Sequence, residues 1–222
     1  LSSVYSLGID NLVIELSGSV CPTVENCANE YLSALEKLVV EQSAEKIYWK
    51  YALDKPTLIL HNNPNKPDSL VVSCSDSFRI RYSAYYPHKT VEGQYAIFDV
   101  CTNNYKTMIM DARSPAFLPR WLLGSLFLYL GNKGLHGVNE KNHLLIKSNS
   151  ASSYINNLIY GVRYNGQEFV RHKVLDVIGT LALTGRQFIN TEFRFIMTGH
   201  KFDLYALKSL FEQQVFASCT VD

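Results

Sequence analysis

The sequence predicts an α+β fold. Short alternating strands crowd residues 47–100, amphipathic helices lie on either side of them, and the two kinds of element do not alternate as regular βαβ units.

In chain order, residues 1–7 read as the end of a helix. Asn11–Leu16 alternates and predicts a strand. Asn29–Glu41 sets Tyr31, Leu32, Leu35, Leu38 and Val39 at helical spacing and predicts an amphipathic helix. The polar run 42–46 marks a domain boundary, giving units of residues 1–44 and 45–222. Beyond it, PTLILHNN and SLVVSC flank the turn NNPNKPD, whose two prolines punctuate a loop. FRIRYSAYY puts Arg79 and Arg81 on one face of a strand and Ile80 and Tyr82 on the other. QYAIFDV reads as a further strand, residues 115–135 as helix, 143–148 as a strand and 149–157 as a turn. A motif helix between a cap at Asn165 and a stop at Gly185, the strand EFRFIM and a closing helix near 203–215 complete the chain.

At 222 residues and 47% hydrophobic content the chain is long enough to bury a substantial core. Its formal net charge of +1 and its scattered Lys and Arg give no nucleic-acid footprint. Five cysteines with no C-x-x-C pair argue against a cysteine zinc site and for a reducing, cytoplasmic setting. No apolar run reaches the ~18 residues of a membrane span. The nearest, Trp121–Leu130, reads as a buried core helix or as a surface for an acyl chain or a membrane face.

The chemistry concentrates in residues 163–203. His172 and Asp176 are four apart, so they share one helix face. Lys173 lies beside them, and His200 follows in a TGH turn just before the closing helix. Asn165 with Glu168 three later resembles a capping box, and Gly185 is a plausible C-terminal stop. Phe169, Val170, Val174, Leu175, Val177, Ile178 and Leu181 cover most of the circumference, so the helix should be largely buried. A buried Asp176 needs a charged partner or a metal. The spacing alone leaves open a surface pair, a satisfied core histidine and a metal pair.

EFVRHKVLDVIG followed by TGH resembles the UDP-3-O-acyl-N-acetylglucosamine deacetylase family of lipid A biosynthesis. LGIDNLVIEL, residues 7–16, is similar to the segment after that family's first zinc-ligand motif, and DARSPAF, residues 111–117, to its Ala-Arg-Thr active-site loop. The resemblance implies two layered helix-on-sheet domains, with the first present here only as a remnant. It also implies a zinc-dependent amide hydrolase acting on an acylated UDP-amino-sugar as a monomer, with peripheral membrane contact. His172 and Asp176 would be two of three zinc ligands, His200 the general acid or oxyanion cation, and Lys173 a support for the tetrahedral intermediate. Ser114 would stand where the family has a Thr bonded to the substrate carbonyl.

Three departures accompany the resemblance. The family's Glu-His pair, catalytic base and zinc ligand, aligns immediately before Leu1, which suggests a fragment lacking activity on its own. Thr180 replaces an Asp that orients the catalytic histidine, and TVENCAN, residues 23–29, replaces a Met-Asp-Gly-Ser turn. The alternatives are a degenerate, non-catalytic relative that binds sugar nucleotide or acyl ligand, and a metal-free ion-pair network of His172, Asp176 and His200.

Overall fold

The structure, a computed structural model, describes residues 1–18, 21–22, 24–61, 63, 65–86, 88, 90–118, 141–147 and 161–221. Its helices are α1 (Ser2–Ser6), α2 (Asn29–Glu36), α3 (Thr102–Met108), α4 (Glu168–Leu181) and α5 (His200–Glu212). Its strands are β1 (Tyr48–Tyr51), β2 (Thr57–Leu60), β3 (Ser69–Cys74), β4 (Arg79–Ala84), β5 (Gln94–Asp99), β6 (Pro115–Leu118), β7 (Leu144–Lys147), β8 (Phe188–Ile189), β9 (Thr191–Ile196) and β10 (Phe216–Cys219).

The strands build a five-stranded sheet in the order β2-β3-β9-β4-β5, a three-stranded sheet β10-β1-β8 and the parallel pair β6-β7. β9 runs antiparallel to β3 and parallel to β4, so the chain between β4 and β9 must cross over, and α4 lies on that connection. Alternation along β3, β4 and β9 turns Leu70, Val72, Ile80, Tyr82, Phe193 and Phe195 inward. α4 meets that face with Phe169, Val170, Val174, Val177, Ile178 and Leu181, all buried, and packs on α1 and α5 as well. Tyr5 of α1 and Leu32 of α2 join the same core. The α+β class is therefore observed, as one helix layered on a mixed sheet.

The 3-10 turn Ala182–Thr184 follows α4 and ends on Gly185 in the left-handed region, at φ 72°, where the absent Cβ removes the steric penalty.

Five local expectations are corrected. Residues 11–16 form no strand: they are exposed, and no described strand lies alongside to satisfy their backbone. α2 stops at Glu36, since Leu38, Val39 and Val40 remain exposed and a further turn would gain no core contact. Residues 115–118 are a strand, held by register pairing with β7; the rest of the expected helix, including Trp121–Leu130, lies outside the described residues, as does the turn at 149–157. α5 begins at His200, three residues early, with Gly199 as its N-cap. The Asn165–Glu168 capping box does not form: Asn165 is left-handed within a 3-10 turn, Gln167 is the N-cap, and the Glu168 carboxylate is used elsewhere.

Candidate active site

Glu168, the first residue of α4, explains that exchange. Its Oε1 accepts the Arg113 backbone N–H at 3.0 Å and Nε at 2.6 Å. Its Oε2 accepts the second guanidinium arm at 2.9 Å and the Arg163 N–H at 2.8 Å. Arg113 also donates to the carbonyls of Lys141 and Gly161. The side chains are 1% and 0% exposed, so two buried charges are neutralised in a fork geometry with every oxygen used. The pair ties the 111–114 loop to the start of α4. Sequence reading missed it; an acidic residue on an otherwise apolar helix was its available signal.

One turn further, His172 is buried and its Nδ1–H donates to the Ala112 carbonyl at 2.9 Å. That bond fixes the ring and leaves Nε2 facing Asp176 Oδ1 at 3.3 Å. Asp176 Oδ2 lies 3.3 Å from Lys173 Nζ and 3.9 Å from His200 Nε2. Burial works to raise the Asp176 pKa, but the charge and hydrogen bond of His172, with Lys173 and His200, outweigh it and bring it down to about 2. The helix spacing and the α4–α5 packing thus bring His172, Lys173 and His200 around the Asp176 carboxylate.

His200 is the exposed member, with 69% of its side chain accessible, at the first turn of α5. Thr180 does not serve it: its hydroxyl donates to the Asp176 carbonyl four residues back, at 3.2 Å. Asp203, on the same turn of α5, is 97% buried, and its Oδ1 has no hydrogen-bond partner among the described residues. Burial pushes its carboxyl above the usual range, against the nearby charges of Lys173 and His200.

Ser114 is anchored from both sides of its backbone. Its N–H donates to Asn26 O and its carbonyl accepts Leu144 N–H, each at 3.0 Å. The Ala112 carbonyl on His172 joins this loop to the α4 cluster.

The donor chemistry accommodates a metal. With Nδ1–H committed to Ala112, His172 Nε2 is turned to Asp176 Oδ1, and either a proton or a cation can bridge the two. Two ligands ~2.0–2.1 Å from a tetrahedral zinc lie about 3.3 Å apart, and Nε2 and Oδ1 have that separation. Among the described residues no group of three His, Cys, Asp or Glu side chains is arranged to hold a metal ion by itself. All five cysteines are free, and no described helix is long and apolar enough to cross a membrane.

A sheet backed by one buried helix, with a His–Asp–Lys cluster at that helix and a second histidine on α5, defines an α+β protein with a polar site between α4 and α5. The family model for UDP-3-O-acyl N-acetylglycosamine deacetylase (LpxC) matches residues 1–212, and the chain belongs to that family. It is 29% identical over 215 residues to the UDP-3-O-acyl-N-acetylglucosamine deacetylase of Syntrophus aciditrophicus, covering 96% of this chain and 62% of that protein. It is 28% identical over 195 residues to the deacetylase of the same name from Sulfurimonas denitrificans, covering 85% and 59%. It is also 27% identical to the bifunctional enzyme LpxC/FabZ of Porphyromonas gingivalis, covering 84% and 42%. The chain thus spans about three fifths of the length of the first two relatives.

Proposed function

We propose that this chain carries the α4–α5 part of a zinc-dependent deacetylase acting on UDP-3-O-acyl-N-acetylglucosamine in lipid A biosynthesis. The observation that supports this best is the His172–Asp176 pair: two donors 3.3 Å apart, one ring nitrogen committed to a carbonyl, in a family whose members are named deacetylases.

His172 Nε2 and Asp176 would hold the metal, which when bound supplies Lewis-acid polarisation of an acyl oxygen. The other residues work around it. The Ser114 hydroxyl donates a hydrogen bond to the substrate carbonyl oxygen. The Lys173 ammonium, held by Asp176 Oδ2, adds positive charge where negative charge develops. His200, exposed at the first turn of α5, can reach a leaving amine and deliver a proton from Nε2. The positive end of α5 lies at the same place. With two metal ligands among its described residues, the chain alone binds zinc weakly and does not turn over substrate.

Acetate release from UDP-3-O-acyl-N-acetylglucosamine tests this reading, in a protein that joins the chain to the Glu-His pair expected before Leu1. Zinc-dependent release abolished by His172→Ala supports it; metal-independent release or none counts against it.

One observation favours the non-catalytic alternative. The Thr180 hydroxyl is spent on the Asp176 carbonyl, which leaves His200 without the carboxylate the family places there.

A further inference from the structure

The turn at residues 24–28 departs from the family pattern, and it carries unusual backbone. Val24 and Asn26 both sit in the left-handed region, at φ 49° and 54°. A β-branched residue there is strained and persists only where its surroundings over-determine it. The surroundings do so. Ala28 N–H donates to Met110 O at 2.8 Å, and Ser3 Oγ donates to Ala28 O at 3.2 Å. Glu25 lies 3.8 Å from both Lys141 Nζ and an Arg163 guanidinium nitrogen.

The product of this strain is an aimed carbonyl: Asn26 O receives the N–H of Ser114. The Asn26 side chain reaches in the other direction, and its Nδ2 contacts His143 Nε2. His143 is buried, and its Nδ1 lies 2.7 Å from Asn142 Oδ1. With Asn142 Oδ1 and Asn26 Nδ2 turned to the ring, one assignment satisfies both contacts. The amide oxygen of Asn142 accepts, so the proton sits on Nδ1; Nε2 is then the acceptor for Asn26. A protonated ring would set an N–H against the Asn26 amide. His143 immediately precedes Leu144, whose N–H binds the carbonyl of Ser114. Both backbone anchors of Ser114 are therefore joined through one imidazole.

We propose that Asn26 and His143 form a latch that sets the position of Ser114, with His143 as a positioning residue. The replacement of the family's turn is then a rebuilt support for the Ser114 loop and not a loss of one. The inference rests on the reading of Ser114 as the group facing the substrate carbonyl, but its geometry can be tested without metal or substrate.

The experiment is NMR on the 222-residue chain with 15N-labelled histidine, together with amide hydrogen exchange. The expected signature is a His143 ring in the Nδ1–H form between pH 5 and 8. Asn26→Gly, which keeps the Asn26 carbonyl and tolerates its left-handed backbone, and His143→Phe should each cut Ser114 amide protection by about tenfold, a typical hydrogen-bond contribution. Val174 and Val177 amides in α4 should stay protected, which separates latch loss from unfolding. His143→Gln, whose amide oxygen can accept from Asn26, should restore protection. An Nε2–H or protonated His143, or Ser114 protection unchanged in Asn26→Gly, would overturn the latch. Zinc titration of the same samples keeps the two readings apart: latch failure with zinc binding intact sinks only this inference.

Discussion

His172 Nε2 stands 3.3 Å from Asp176 Oδ1 because Nδ1–H is already given to the Ala112 carbonyl. The i,i+4 spacing brings the two side chains together, and the loop carbonyl decides which nitrogen faces the acid.

The Arg113–Glu168 pair fixes that loop to α4. Glu168→Ala would strand a buried guanidinium and two backbone N–H groups, so the expected loss is about 3–5 kcal/mol. Urea denaturation of the two proteins measures it. A loss below ~1 kcal/mol would mean that water or rearrangement satisfies Arg113.

Acid should weaken the fold through His143. Burial, then the charges of His172 and Arg113, lowers its pKa to about 4 in the folded chain. The unfolded chain takes up this proton near 6.5, so between those values it binds more protons than the folded chain. The contribution is thus present above pH ~6.5 and lost as pH falls toward 4. Thermal melts from pH 7.5 to 4.5 should show a steeper drop for the parent than for His143→Gln. Parallel curves would assign the acid sensitivity to other groups.

Asp203 has the opposite sign. Its folded pKa is raised, chiefly by burial, so its favourable contribution is present below the unfolded value and is lost as pH rises through the folded one. Asp203→Asn should therefore stabilise the chain at pH 7 relative to the parent, with the gain shrinking at pH 3. Destabilisation at pH 7 would indicate that Lys173 or His200 depends on the Asp203 charge.

Much of this was legible in the sequence. The β2–β3 hairpin showed as two apolar runs about a proline-marked loop, and β4 as alternation of Arg79 and Arg81 with Ile80 and Tyr82. α4 showed as helical periodicity, and His172 with Asp176 as a spacing on it. What was illegible depends on contacts distant in sequence. Asn11–Leu16 has a strand's pattern but no described neighbour to pair with, and a pattern cannot report that. Glu168 looked local to Asn165 because capping is a short-range rule, yet its partner lies 55 residues away. The His143 contact with Asn26 spans 117 residues and leaves no periodic trace.

Thr180→Asp distinguishes an impaired enzyme from a binding protein. In a protein that joins this chain to a Glu-His pair, the added carboxylate should raise kcat/KM about 10–100-fold, the usual weight of such a supporting group. No gain would favour the non-catalytic reading or a different support for His200.

The central claim is that His172 and Asp176 are metal ligands, and zinc titration by calorimetry tests it most directly. The chain should bind one zinc weakly, since only two of a catalytic site's three ligands lie among the described residues. His172→Ala and Asp176→Asn should each abolish that binding. Zinc bound with unchanged affinity in both variants would contradict the account.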